Sequence, residues 1–211
     1  MFAPKTVRKV VGIIGVVGLF TAAGSASALT GKHDLSAAGY GSTEKCIFCH
    51  TPHDAPGTNG PLWNHTDTAI STYDMYDATV SSSIDMTVGA APGAVSLACL
   101  SCHDGTIGID EYAGLNAASV NVMPAANQVG TVTGGDTGNN DLTTQHPIAV
   151  TYSTTDDAAF NAIVSGKVGT APLFAGKVEC ASCHNPHDNT AAPYLRSTNA
   201  ASALCTQCHI K

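Results

Sequence analysis

Charge, aromatic side chains and spare cysteines are all scarce in this chain. Charged residues make up 12% and aromatic residues 6% of it, with a single tryptophan. So few aromatics, beside abundant glycine, alanine, serine and threonine, leave too little apolar bulk for an ordinary hydrophobic core of this length. Basic residues are rarer still: nine stand against sixteen acidic ones. Three of the nine lie in residues 1–28, which hold no acidic residue, so the remainder carries six against sixteen and a formal charge of −10. That balance excludes nucleic acid and anionic membrane surfaces as partners, because like charges repel. No glycine-rich nucleotide loop and no nucleophile elbow is present.

The N-terminus has the form of a secretory signal. Lys5, Arg8 and Lys9 precede an apolar run over residues 10–20, then a small-residue stretch ending in Ala26-Ser27-Ala28, the expected cleavage site. The run is interrupted by Gly12, Gly15 and Gly18 and is shorter than the roughly twenty apolar residues of a membrane span, so no membrane anchor is expected. The sequence thus divides into a cleaved signal peptide, 1–28, and one domain, 29–211, exported to the periplasm, the cell surface or beyond.

Every cysteine belongs to one of four C-x-x-C-H pentads: Cys46, Cys49 and His50; Cys99, Cys102 and His103; Cys180, Cys183 and His184; Cys205, Cys208 and His209. None is left over to build a disulfide framework. Two thiols three residues apart share one face of a helical turn, where both add to the vinyl groups of one porphyrin, and the next residue supplies an imidazole to the iron. The competing reading, two zinc sites each made from two C-x-x-C pairs, has no use for a histidine after every second cysteine. Four covalently attached c-type haems are expected, with His50, His103, His184 and His209 as proximal ligands.

Five histidines remain for four distal positions: His33, His53, His65, His146 and His187. His53 and His187 each lie three residues past a proximal histidine, after a proline that ends the turn, and are placed to reach an adjacent porphyrin rather than their own. His33 and His146 follow as candidates, and His65, beside the only tryptophan, is the expected spare. Met75, Met86 and Met123 are weaker candidates where imidazole is in excess. An iron closed by two histidines passes electrons and binds no substrate, so no enzymatic activity is expected.

The expected fold is mostly irregular coil with short helices at the haem motifs, minimal strand and a core of stacked haems. Helical turns are predicted over 95–103, 156–164 and 201–209, and short strands around Ile148, Val150 and Tyr152 and at Val120 and Val122. Residues 90–94 and 130–140 read as connectors, the second a surface loop. Residues 46–54 (CIFCHTPHD) and 180–188 (CASCHNPHD) share the pattern C-x-x-C-H-x-P-H-D, each followed by a motif without the extension, as two haem pairs in series would give.

These motifs, with residues 32–35 (KHDL), 61–64 (PLWN), 99–106 (CLSCHDGT), 146–148 (HPI), 172–174 (PLF), 178–187 (VECASCHNPH) and 204–209 (LCTQCH), resemble the secreted multihaem cytochromes with doubled haem motifs, and within them the OmcE-type tetrahaem proteins. The resemblance implies four bis-histidine haems in alternating parallel and T-shaped pairs. It further implies a homopolymeric extracellular filament that conducts respiratory electrons, with one distal histidine donated between subunits. His33 or His65 is the expected donor, because both lie outside the close pairings of His53 and His187. The alternatives are a soluble periplasmic shuttle resembling tetrahaem cytochrome c3, and an electron-donor subunit of a reductase complex with a protein redox partner.

Overall fold

The computed structural model describes residues 29, 31–55, 58–130 and 138–210. The proposed signal peptide, 1–28, and most of the proposed loop at 130–140 lie outside them. Among the described residues, helix is confined to the ten-residue α1 (Ala94–His103) and to single turns α2 (Cys180–Cys183) and α3 (Cys205–Cys208), with 3-10 turns at Gly31–His33, Ala125–Asn127 and Ala200–Ser202. Strands are two residues long: β1 (Val150–Thr151) pairs antiparallel with β4 (Lys177–Val178), and β2 (Lys167–Val168) with β3 (Ala171–Pro172). No described helix is long and apolar enough to cross a membrane.

Three of the predicted elements come out differently. Residues 156–164 form no helix; they run extended past α3, where Ile210 N donates to Ala159 O and Asn161 N to Cys208 O, both at 2.8 Å. The turn expected over 201–209 is broken, because Ala201 and Ser202 adopt left-handed φ values of 51° and 63° before α3 begins. Val122 makes only an isolated bridge to Gly108. The connector at 90–94 is docked rather than free, since Gly93 N donates to the buried Glu179 carboxylate at 3.2 Å. The far end of the 130–140 segment is interior: Asn140 is buried, and a Cβ on Gly138 would collide with Thr106 and the Asp104 carbonyl.

Apolar burial is thin and dispersed. One cluster joins Tyr73, Leu100 and Leu142, flanked by Ile70, Met75, Leu97, Val129 and Ile148. Phe48 and Tyr112 form another, edge to face at 4.8 Å. Much of the remaining interior is polar, including Asn64, His65, Ser96, Ser101, Asp104, Glu179 and Ser182. Each of these needs a specific hydrogen bond to be there, and those bonds position the motifs.

Candidate haem-binding site

α1 and α2 are joined by such a network. Glu179, the N-cap of α2 and 2% exposed, accepts from Ser96 Oγ at 2.5 Å and from Gly93 N, and also from the backbone N–H of Ser182 in a capping box. Ser96 Oγ in turn accepts from Cys180 N at 3.0 Å. This docks α2 on α1, where Cys180 pushes the Cys99 thiol well above its ordinary value. Burial pushes Cys49 up to about 11, and also raises Cys102, Cys183 and Cys208. Neighbouring thiols add to these shifts: Cys49 acts on Cys102, and Cys208 on Cys183. The thiols of successive motifs thus act on one another electrostatically, first on second, second with third and third with fourth.

A recurring strap holds three of the four motifs. After His50 the chain returns as Pro61-Leu62-Trp63-Asn64: Thr51 N donates to Leu62 O (3.0 Å), Asn64 N to Cys49 O (2.9 Å), and Trp63 bridges His50. After His184 it returns as Pro193-Tyr194-Leu195-Arg196 with the same bonds: Asn185 N to Tyr194 O (2.7 Å), Arg196 N to Cys183 O (2.8 Å), and Leu195 bridging His184. At His209 the strap arrives from upstream as residues 159–161, with Phe160 bridging His209. Leu62 and Tyr194 adopt φ of 55° and 59°, a left-handed conformation that costs a non-glycine residue about 1 kcal/mol. The turn aims the preceding proline carbonyl at the motif histidine.

Those carbonyls orient the imidazoles. The Nδ1 atoms of His50, His103 and His184 lie 3.0, 2.7 and 3.1 Å from the carbonyl oxygens of Pro61, Asn127 and Pro193. A carbonyl only accepts, so each ring donates from Nδ1, which leaves Nε2 as the nitrogen available to a metal. His33 and His146 are held alike, their Nδ1 atoms 3.3 and 3.0 Å from Pro186 O and Pro147 O. Tyr194 clamps His33 further: its hydroxyl accepts from His33 N at 3.0 Å and its ring packs on the imidazole at 4.3 Å. Burial pushes His33 and His187 below the ordinary histidine value, which favours the neutral, ligating form.

Three histidine pairs face one another: His50 with His187 at 6.0 Å between ring centres, His33 with His103 at 6.2 Å, and His146 with His209 at 6.4 Å. With metal–imidazole bonds of about 2 Å, as zinc makes them, two rings sharing one metal lie about 6 Å apart. The interplanar angles of 26°, 86° and 77° are rotations a shared axis permits. Spacing alone is no signature, since Trp63 also stands 6.2 Å from His50. In each pair at least one ring is held at Nδ1 by a carbonyl, leaving its Nε2 for a metal.

The other candidates are placed differently. His65 is 2% exposed, with Nδ1 2.8 Å from Thr66 O and Nε2 3.0 Å from Gly108 O, so both nitrogens are engaged by backbone. His53 projects into solvent with Nδ1 3.1 Å from Asp54 Oδ2 and faces no histidine among the described residues, although the sequence led us to expect a pairing like that of His187. His184 likewise faces none among them. Met86 is buried, while Met75 packs at the edge of the small Tyr73 cluster. No three His, Cys, Asp or Glu groups among the described residues converge on a single metal position.

A porphyrin fits this arrangement. The motif cysteines lie on turns next to histidines held at Nδ1, and Trp63 Nε1 is a buried donor with no acceptor among the described residues, as a pocket shaped around an acceptor-bearing group would leave it. Asp104, fully buried directly after His103, is held by Tyr73 Oη at 2.7 Å, by Thr106 N and Oγ1 at 2.9 and 2.8 Å, and by Thr68. Sequence reading missed the straps and this network, yet a signal existed. A proline with a bulky apolar residue and then Asn or Arg follows both His50 and His184, eleven and nine residues on.

The family model described as the doubled CXXCH motif matches residues 171–211, the third and fourth motifs with the strap of the third. No curated protein matches the chain. The match supports a multihaem c-type cytochrome, with haem c bound covalently at C-x-x-C-H motifs and a role in electron transport.

Proposed function

We propose that the protein carries electrons through four bis-histidine haems c and is exported to form an extracellular homopolymeric filament. The observation that carries the reading is the set of three facing histidine pairs, with one proximal histidine, His184, and one exposed histidine, His53, that face no other histidine among the described residues. In this reading His187 closes the iron of His50, His33 that of His103, and His146 that of His209. His53 of a neighbouring copy closes the iron of His184. Each subunit gives one ligand and takes one, so the count closes at eight imidazoles for four irons, with His65 as the fifth, structural histidine. His33 and His65, the donors expected from sequence, are replaced in that role because His33 faces His103 and His65 is enclosed.

Closed irons leave no coordination site for substrate, so the chain conducts rather than catalyses. The continuous adjacency of the motifs supports a single path through the subunit. An acidic surface opposes self-association at low salt, and a shared ligand gives the contact both strength and register.

The test is electron microscopy and carbon monoxide titration of haem-loaded protein, wild type and His53→Ala. Wild type should form filaments that bind no carbon monoxide. H53A should keep four haems, remain as single subunits and bind carbon monoxide at one haem in four. Filaments from H53A would overturn the assignment of the donor. Wild-type single subunits with all irons closed would leave a soluble shuttle.

A further inference from the structure

The three straps end on residues that perform the same two bonds with different side chains. Asn64, Arg196 and Asn161 donate their backbone N–H to the carbonyl of the second motif cysteine, Cys49, Cys183 or Cys208, at 2.9, 2.8 and 2.8 Å. Each also donates a side-chain N–H to the carbonyl of the residue after the first cysteine: Asn64 Nδ2 to Ile47 O at 2.7 Å, Arg196 Nε to Ala181 O at 2.7 Å, and Asn161 Nδ2 to Thr206 O at 3.1 Å. A neutral amide is therefore sufficient for the strap, and the guanidinium at the third motif brings something the bond does not require. It is the only arginine in residues 29–211.

Its charge is not neutralised locally. The ion pairs among the described residues are Lys45 with Asp34 and His53 with Asp54. Burial pushes the Arg196 guanidinium below its usual value, with Cys183 acting in the opposite sense, yet a guanidinium stays protonated at any ordinary pH. Arg196 also acts on His187, the ring facing His50. It is thus bonded to the third motif and its charge is felt at the histidine that faces the first.

We infer that Arg196 is a potential-setting residue that makes the haem of the third motif, or the junction between the first and third, the most easily reduced point of the subunit. This rests on the four-haem reading above. A fixed positive charge beside an iron centre favours the reduced state, which carries one positive charge fewer. Within about 10 Å, at the intermediate permittivity of a protein surface, a unit charge shifts that equilibrium by roughly tenfold. The path then has a low point at the subunit position His53 of the neighbour would complete, where electrons arriving across the interface are held before moving on.

The test is potentiometric titration of haem-loaded Arg196→Asn, which copies the sister straps, alongside Arg196→Lys and Asn161→Arg. R196N should lower the highest of the four potentials so that the reduced fraction of that haem at fixed potential falls about tenfold, or about 59 mV for one electron. R196K should retain most of the wild-type value. N161R, at a half-buried strap position equivalent to Arg196, should raise a second potential. The inference is overturned by four unmoved potentials in R196N, by R196K shifting as far as R196N, or, where R196N fails to fold, by N161R leaving every potential in place. A haem content other than four would instead overturn the reading on which the inference rests.

Discussion

Replacing Glu179 by alanine should weaken the haem-loaded protein by about 4 kcal/mol, because three buried donors, Ser96 Oγ, Gly93 N and Ser182 N, lose their acceptor together; each orphaned group costs about 1–3 kcal/mol, partly recovered by relieving a buried charge of its desolvation. Against a total stability of about 5–15 kcal/mol that is a large fraction. Glu179→Gln keeps an accepting oxygen and should cost about 1–2 kcal/mol. Gly93→Ala attacks the same site from the other side, since a Cβ there would overlap the Glu179 carboxylate. The assay is guanidinium unfolding followed by haem absorbance and by far-ultraviolet circular dichroism; a 4 kcal/mol loss moves the midpoint by about 1 M at an ordinary guanidinium slope. Because the network ties α1 to α2 through Ser96, Gly93, Glu179 and Cys180, electron exchange between the haems of the second and third motifs, in the four-haem reading, should slow in E179A. A midpoint shift under about 1 kcal/mol for E179A, with E179Q indistinguishable from it, would refute the claim that this carboxylate joins the two motifs.

Two further outcomes follow from the straps. Tyr152, buried, donates from its hydroxyl to Asn161 O at 2.7 Å and so holds the strap of the fourth motif; burial, and then Cys208, push it up to about 12. A folded pKa above the unfolded value of about 10 means the stabilisation is full below pH 10 and is lost as pH rises toward 12, so an alkaline transition at one haem should appear in that window and be absent from Tyr152→Phe, as absorbance against pH will show. Trp63→Phe should leave the haem-free chain nearly unchanged but destabilise the haem-loaded one by about 1–2 kcal/mol if a bound group accepts from the Nε1–H; equal effects with and without haem would show that the donor has no such acceptor.

The sequence made the cofactor chemistry legible and left most of the fold hidden, for a physical reason. C-x-x-C-H is a local pattern whose meaning lies in covalent spacing, so it survives without any knowledge of the tertiary structure. The pairing of His50 with His187 joins residues 137 apart in sequence, and nothing in hydrophobic periodicity encodes it. Thr155 or Asp156 as an N-cap and Gly166 as a stop are helix-boundary signals around 156–164, but such local signals do not register that Phe160 and Asn161 are taken up by α3 as a strap. His65 stands out in the sequence only by lying beside the single tryptophan; that both its ring nitrogens meet backbone carbonyls required the fold.

The straps also explain how a chain with so little apolar bulk can specify one arrangement of its motifs. The turns of the first, third and fourth motifs are each closed on both sides by backbone bonds from a three-residue segment, and the side-chain amide or guanidinium at its end ties the turn's interior carbonyl. Such bonds contribute only about 1 kcal/mol each against the entropy of ordering coil. They are therefore too weak to hold the fold alone, and strong enough to fix direction once something large and apolar occupies the space beside them. In the four-haem reading the porphyrins supply that burial, and the straps of the first and third motifs decide which way His50 and His184 face. The same division of labour separates the two kinds of substitution proposed above. Changes at Glu179 or Tyr152 act on where the motifs stand, whereas exchanging Arg196 for the asparagine of its sister straps leaves the bonds and alters only the charge the iron experiences.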